Sequence, residues 1–568
     1  MRADGAREGL RQAMAWLHTW TGLVLGWLLF AIFLGGTFAF FKNELNLWSR
    51  PELHALPPAG PLSAAQLATY EDGIRRLAPQ ATSWRLSAPD DRHPQASVFY
   101  RNAPAAPGQR ARFEQRWLDA EHGDAIPVRK TFGVGEYFYR FHFELRSAQQ
   151  SKWILEGRWV VGLATLLMLV ALLSGVVTHR RIFKDFFTFR PKSKATQRAW
   201  LDAHNLCGVL ALPFYLVITF SGLMTMHSLY LPAPIDAAFG KQTAAYFGEL
   251  SGDEVPRARA RDGGAETPLP AIGAAGWDTI LRDVHRRMPD GRIEGIGLQH
   301  EGGRTVVEFT PHDGDRLQYR GPRLFYDART LTLIRRADNE RPAAKTYGVL
   351  YGLHVARFAD LPLRFVLAGL GLLGTAMIAT GLVLWSVKRR ADAERRKVGV
   401  GRGHRLVDAL NIGAIAGMPI AMAAFCHATR WLPLDLTERP DGEIKVFFGV
   451  LALGFLAAAL EARWRHLFVA GALAWAALPV MDAVGGWPFW EAGATVQAVN
   501  LGFVGIAALL AVLAWKCGPR AMPPRPGKSA KATADASGGG AAVSAVASSA
   551  ALIGPQGGDA GRPATEGA

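Results

Sequence analysis

Long apolar stretches alternate with polar stretches rich in proline and glycine along the 568-residue chain. Several of the apolar stretches exceed the roughly 18 residues that predict a transmembrane helix. The first is too long for the hydrophobic part of a signal peptide and has no cleavage site, so we expect it to remain as a membrane anchor. The pattern predicts eight spans, at residues 14–41, 157–178, 200–226, 362–387, 409–429, 445–460, 467–483 and 494–515.

The segments between the spans predict the domain organisation. Residues 42–156 and 227–361 are long enough to form two small folded domains, each with a helix-like stretch followed by strand-like stretches. The last four spans form a block at residues 409–515. Residues 516–568 are rich in Ala, Gly, Ser and Pro, cannot bury a core, and are predicted to be disordered.

Positive charge predicts the orientation of the spans. Lys and Arg are concentrated in the short segments 1–13, 179–199 and 388–408, whereas the segment between the fifth and sixth spans is acidic. Basic residues accumulate in cytoplasmic loops. We therefore expect both termini in the cytoplasm and the two long segments in the periplasm of a bacterial-type inner membrane. The net charge of +16 then reflects these loops at the lipid surface and not nucleic-acid binding.

The first four spans contain an internal duplication. His18 lies near the start of the first span and His204 near the start of the third, and a glycine follows each after eighteen residues. The second and fourth spans end alike, in Leu-Ser-Gly175-Val-Val and Ala-Thr-Gly381-Leu-Val. Residues 14–190 and 200–390 are thus predicted to be two copies of one unit, made of a span, a small α+β domain, a histidine and a span. The last four spans lack this pattern.

Four of the fifteen histidines recur at matching positions in the two copies and are the candidate site residues: His18, His142, His204 and His354. Ionisable residues within a membrane are functional candidates by default. Neutral imidazole is a common axial ligand of haem iron. His18 and His204 lie near the cytoplasmic side and the other two near the periplasmic side, which predicts an inner and an outer ligand pair for two b-type haems. No Cys-x-x-Cys-His occurs, which excludes covalent attachment.

Other interpretations of the histidines remain open. Each of the four could be an interfacial residue that bonds to water or to a backbone carbonyl. His179 and His227 are rival ligands at the ends of the second and third spans. Arg140, Arg146 and Arg357 flank the outer pair and are candidate ligands of haem propionates.

With these features the chain resembles the PepSY-associated transmembrane family over about residues 10–390. The resemblance rests on the His-x3-Gly openings, on the Ser/Thr-Gly endings at Gly175, Gly222 and Gly381, and on the stretches LDAEHGD and YDARTLT, which are typical of PepSY-like domains. It implies two small periplasmic PepSY-like domains and haem-dependent electron transfer. Members are often iron-regulated, and some are inner-membrane reductases of ferric siderophores, which implies a role in iron uptake.

The function predicted is that of an oxidoreductase that passes electrons outward to a ferric siderophore or another ferric chelate. No nucleotide-binding glycine motif occurs and the cytoplasmic loops are short, so the electrons must come from a membrane quinol or a separate cytoplasmic donor. One alternative is a non-enzymatic sensor or regulator whose PepSY-like domains bind a peptide or a partner protein. Another is a transporter, although few paired acidic residues are evident within the spans.

Overall fold

The computed structural model describes most of the chain outside the predicted basic loop after the second span and the predicted disordered tail. Arg146 also lies outside the described residues. The described residues are 9–54, 56, 60, 62–102, 113–145, 156–179, 196–240, 242–252, 268–289, 291–319, 321–338, 340–460 and 463–518.

The described part of the chain is mostly helical and contains eight β-strands. The helices are α1 (Leu10–Ala39), α2 (Lys42–Trp48), α3 (Ala64–Leu77), α4 (Val134–Glu144), α5 (Gly157–Thr178), α6 (Thr196–Leu210), α7 (Leu212–Thr225), α8 (His227–Tyr230), α9 (Pro232–Phe239), α10 (Thr243–Leu250), α11 (Gly273–Arg287), α12 (Pro342–Val355), α13 (Leu361–Arg395), α14 (Arg402–Ile415), α15 (Gly417–Trp431), α16 (Arg439–Ala459), α17 (Trp464–Val484) and α18 (Ala494–Lys516). The strands are β1 (Ala81–Ser87), β2 (Ala96–Asn102), β3 (Phe113–Leu118), β4 (Ala125–Ile126), β5 (Ile293–Glu301), β6 (Arg304–Pro311), β7 (Arg323–Asp327) and β8 (Leu333–Ala337).

Seven helical segments of the described chain are long and apolar enough to cross a membrane, and α14 with α15 counts as one of them. The pair α6 and α7 forms an eighth candidate. These segments coincide with the eight predicted spans, which identifies a multi-pass membrane protein.

The third span differs from the single helix that we expected at residues 200–226, because α6 and α7 meet at an angle of 66°. Pro213 lies in the first turn of α7 and has no N–H to donate to the preceding turn. Tyr215 compensates in part, since its hydroxyl donates a hydrogen bond of 3.0 Å to the carbonyl oxygen of Cys207. A proline next to a helix break is the local cause of the bend.

The two long segments share one antiparallel sheet, with strand order β4-β3-β2-β1-β5-β6-β7-β8. The two segments predicted to form α+β domains therefore contribute four strands each to a single sheet. β1 pairs with β5, so that Trp84 lies opposite Leu298 at the junction of the two copies. This pairing satisfies backbone groups that two separate sheets would have left at exposed edges. The four strands of the first copy lie on one side of this junction, and the four strands of the second copy lie on the other.

Helices α3 and α11, one from each copy, pack together against this sheet and complete its core. The buried carboxylate of Glu71 on α3 accepts hydrogen bonds from the backbone N–H groups of Ile272 and Gly273 and from the indole of Trp277. The two copies are thus joined through both the sheet and its helices.

Candidate functional site

The four repeated histidines lie in two pairs within the bundle. The ring centroids of His18 and His204 are 6.1 Å apart, and those of His142 and His354 are 6.0 Å apart. His142 and His354 line a cavity that extends to the sheet. We call them the sheet-proximal pair and call His18 and His204 the sheet-distal pair. Each pair takes one histidine from each copy of the unit.

Both imidazoles of the sheet-distal pair are oriented by a backbone carbonyl on a neighbouring helix. Nδ1–H of His18 on α1 donates a hydrogen bond of 2.8 Å to the carbonyl oxygen of Ala171 on α5. Nδ1–H of His204 on α6 donates one of 2.8 Å to the carbonyl oxygen of Met377 on α13. These bonds occupy Nδ1 and leave Nε2 as the nitrogen for a ligand, which is how metal-binding histidines are usually oriented.

The sheet-proximal pair repeats the arrangement on the short helices that precede the second and fourth spans. Nδ1–H of His142 on α4 donates to the carbonyl oxygen of Ile32 on α1, at 2.8 Å. Nδ1–H of His354 on α12 donates to the carbonyl oxygen of Ile218 on α7, at 3.0 Å, with the hydroxyl of Ser221 3.2 Å away. Both short helices therefore pack beside the membrane helices, and their histidines contact those helices directly.

The repeated glycines allow the four rings to approach the spanning helices closely. A Cβ atom at any of the four glycines would lie closer to an imidazole than nine in ten real Cβ contacts. At Gly36 and Gly222 it would lie closer than real Cβ atoms essentially ever do. The distances from such a Cβ to the nearest ring atom are 2.8 Å at Gly36 (His142), 2.8 Å at Gly222 (His354), 3.1 Å at Gly175 (His18) and 3.0 Å at Gly381 (His204).

The ring spacing fits a single metal ion bound between each pair. Two imidazoles bound through Nε2 at about 2.0 Å place their ring centres about 6 Å apart, because each centre lies about 1.1 Å behind its nitrogen. The observed centroid distances of 6.1 Å and 6.0 Å match this value. The centroid distance of each pair therefore equals that expected for two imidazoles bound to one ion.

A cavity of about 930 Å³ surrounds the sheet-proximal pair, within the range of about 300–1,000 Å³ that is usual for ligand and cofactor pockets. Its deep part is an apolar slot between membrane helices, and its upper part is a polar vestibule below the sheet. Side chains lining the slot include Ile32, Phe33, Val161, Met168, Phe214 and Ile218. Those lining the vestibule include Asp90, Arg92, His93, Glu294, His312 and Arg357.

The charges of the vestibule are largely paired. Nε2 of His312, from the second copy, lies 3.0 Å from the Asp90 carboxylate of the first copy. Burial alone would raise the pKa of Asp90, but hydrogen bonds from His312 and His93 hold it far below its usual range. The hydrogen bond to Asp90 in turn raises the pKa of His312. This ion pair joins the two copies in the cavity that the sheet-proximal histidines also line.

The candidate propionate ligands are also engaged with carboxylates. Nε of Arg140 lies 2.6 Å from Glu136, one turn before it on α4. Arg357 pairs with Asp313, and although burial alone would lower the pKa of Arg357, that carboxylate raises it. Of the two, Arg357 lines the cavity and is the better placed to contact a bound anionic group.

The rival histidines have different surroundings. His227 uses both ring nitrogens, since Nδ1 lies 2.9 Å from the carbonyl oxygen of Met224 and Nε2 bonds to the hydroxyl of Tyr246. It therefore has no nitrogen free for a metal. His179 follows the last turn of α5, and its Nδ1 has no hydrogen-bond partner among the described residues.

Sequence reasoning missed two buried ion pairs in the last four helices. Asp482 and Glu443 are both buried. Asp482 lies 3.0 Å from Arg430, and Glu443 lies 2.5 Å from Arg439. The charged residues within or next to apolar spans were the signal that could have indicated them.

The fold is that of a multi-pass membrane protein built from two copies of one unit that share a sheet. Each of its two histidine pairs takes one residue from each copy and is a candidate metal-binding site. The chain belongs to the family described as the PepSY-associated TM region, whose profile matches residues 15–388. The resemblance inferred from the histidine and glycine motifs is thereby confirmed. The match covers both copies and ends before α14.

A curated relative is an uncharacterized protein of Pseudomonas aeruginosa, PA4219. It is 27% identical over 300 residues, which cover 50% of this chain and 71% of the relative. This similarity assigns no activity to either protein.

Proposed function

We propose that the protein transfers electrons across the bacterial inner membrane through two b-type haems and reduces a ferric chelate, such as a ferric siderophore, on the periplasmic side. The observation that carries this proposal is the repeated ligand geometry. Both histidine pairs have ring centroids about 6 Å apart, with Nδ1 fixed by a carbonyl and Nε2 left for a ligand. The family resemblance also favours it.

The residues of both pairs fit a haem. His18 and His204 would hold one and His142 and His354 the other, each through Nε2, and the glycines beside the rings leave room for close approach. Around His142 and His354 the apolar slot suits a porphyrin. When bound, haem supplies one-electron transfer, which matches the one-electron reduction of Fe(III).

The positions of the two pairs support a stepwise path along the bundle. His18 and the Ile32 carbonyl that orients His142 are both on α1, fourteen residues apart. At 1.5 Å per residue this is roughly 21 Å, which is most of a hydrocarbon layer of about 30 Å. The chain would thus hold one ligand pair near each face of the membrane.

The acceptor would bind in the polar vestibule, which is continuous with the slot of the sheet-proximal pair. A chelate there would be reduced without first crossing the bilayer. The electron donor would be a membrane quinol or a cytoplasmic protein that reaches the sheet-distal pair from the opposite face.

Transport is a second candidate, favoured by the broken third span and by the two buried ion pairs of the last four helices. A visible absorption spectrum of the purified protein separates the candidates. The haem proposal requires the sharp bands of a low-spin b-type haem that shift on reduction. A protein purified from haem-supplemented cells without these bands would favour transport.

We expect both termini in the cytoplasm and the sheet in the periplasm, because Lys and Arg are concentrated in the sequence segments 1–13, 179–199 and 388–408. Reporter fusions at about residues 120 and 300 should give a periplasmic signal, and fusions at about 190 and 395 a cytoplasmic one. A cytoplasmic signal from either long segment would reverse the orientation and with it the proposed direction of electron flow.

Substitution Gly222→Ala should lower haem content from about two toward about one per chain. Its Cβ would lie 2.8 Å from Cε1 of His354 and would displace the ring. Gly369→Ala, on α13, is the control, because no atom lies within 4 Å of its Cβ. Alanine favours helix over glycine by about 1 kcal/mol, so helix propensity does not explain a loss. An unchanged pyridine haemochrome value for Gly222→Ala would contradict the close packing.

A further inference from the structure

The last four spans contact helices of both copies, but of the two short histidine-bearing helices they pack against the one that carries His142. Helix α4 contacts α15 and neighbours α16, whereas α12, which carries His354, packs chiefly against α7. The two short helices are equivalent in the duplication, but their surroundings differ. This asymmetry suggests a task for the spans that the family profile does not cover.

Aromatic side chains form the first part of this contact. The ring of Tyr137 on α4 stacks on Phe425 of α15, with centroids 4.1 Å apart and planes 13° apart. Phe447 of α16 meets the same ring edge-on at 5.1 Å. All three side chains are fully buried. The equivalent of Tyr137 in α12, five residues before the histidine, is Val349, which is only half-buried.

A buried ion pair forms the second part. The Glu443 carboxylate accepts hydrogen bonds from the backbone N–H of Phe132, at 2.9 Å, and from the hydroxyl of Thr131, at 3.0 Å. Its partner Arg439 donates to the carbonyl oxygen of Lys130, at 3.0 Å. Both charged side chains are inaccessible to solvent. The residues directly before α4 are therefore held by a charge pair on α16.

We propose that the last four spans are a clamp for α4, and that Glu443 and Arg439 are positioning residues for His142. A helix of eleven residues is marginal by itself, so its place beside α1 depends on such contacts. The consequence for haem binding rests on the proposed function, whereas the clamp does not. Without the clamp, His142 should lose its fixed position in the sheet-proximal pair, whereas the sheet-distal pair should be unaffected.

Amide hydrogen exchange of the full-length protein in lipid nanodiscs tests the clamp without reference to haem. In Glu443→Ala, exchange of residues 134–144 should rise about tenfold, because two hydrogen bonds that hold the residues directly before α4 are lost. Exchange of residues 342–355 should stay within about twofold of the wild type. In Glu443→Gln the exchange rate of residues 134–144 should lie between those of the wild type and of Glu443→Ala, since the glutamine amide oxygen can still accept both bonds.

Asn411→Leu is the matched control, because it removes a buried contact at the far end of the same block. Asn411 accepts from the indole of Trp27, at 2.8 Å, and donates to the hydroxyl of Ser386, at 3.1 Å. We expect it to leave exchange of residues 134–144 unchanged. If Glu443→Ala does not fold, Thr131→Val removes one of the two bonds to Glu443, together with the bond that the Thr131 hydroxyl accepts from the N–H of Gly133, and should give about a threefold rise.

Haem spectra give the second measurement. Glu443→Ala should weaken the component that His142→Ala removes and spare the component that His18→Ala removes. Equal exchange increases in both short helices, or none in 134–144, would overturn the clamp. A wild-type protein that binds no haem would overturn the proposed function instead, while the exchange rates would still decide whether the clamp exists.

Discussion

Protein carrying His204→Ala should bind about one haem per chain in place of about two, measured by pyridine haemochrome assay. The substitution removes one of two ligands at the sheet-distal pair, whose ring centroids lie 6.1 Å apart. The remaining His18 would hold the iron by one bond only. The other pair lies roughly 21 Å along the bundle and shares no ligand with it. One spectral component should therefore disappear while the other stays largely intact.

The same loss is expected for alanine at each of the other three ligands, and the components lost should sort by pair. His18→Ala should remove the same component as His204→Ala, and His142→Ala the same as His354→Ala. His227→Ala is the control, because hydrogen bonds already occupy both nitrogens of that ring. Full haem content in all four single variants would show that the ligand assignment is wrong.

Protein reconstituted in proteoliposomes should deliver electrons to an external ferric siderophore, and His354→Ala should slow this delivery by at least about tenfold. The protein is reduced with dithionite, the excess is removed, and the chelate is added on the sheet side. Reoxidation of the haem bands and Fe(II) trapped by a ferrous chelator are then followed together. The expected loss is large because His354 would be a ligand of the sheet-proximal haem, which is the one whose cavity the acceptor would enter.

His204→Ala separates the two steps of this experiment. It leaves the sheet-proximal ligands in place, so a single fast turnover should remain while continuous turnover from a donor on the other face is lost. If the reduced wild-type protein stayed reduced in the presence of each of a panel of ferric chelates, the proposal of a reductase function would be wrong. A haem protein with another acceptor would remain, and a sensor function would then be favoured.

Local sequence patterns were sufficient for the spans and for the repeat. Hydrophobic length predicted eight spans because a bilayer demands about 20 apolar residues wherever a helix crosses it. The four histidines were evident because equal spacing in two copies is visible without a structure. Pro213 was also visible, and its missing N–H predicts the break in the third span that the length criterion alone overlooked.

Only the tertiary structure decided which groups meet across the bundle. It joined the two expected domains into one sheet through β1 and β5, and it placed α4 beside α1 so that His142 bonds to Ile32. It also buried the carboxylates of Glu443 and Asp482.

The physical reason lies in the range of the interactions. Apolar length, periodicity and repeat spacing depend on the order of residues along the chain, so they can be read directly from the sequence. The carbonyl that orients His18 is 153 residues away, and the carboxylate that holds the start of α4 is 311 residues away. Such contacts depend on how whole helices pack, so the sequence determined the candidate ligands, while the fold determined their partners, their orientation and the clamp around one of them.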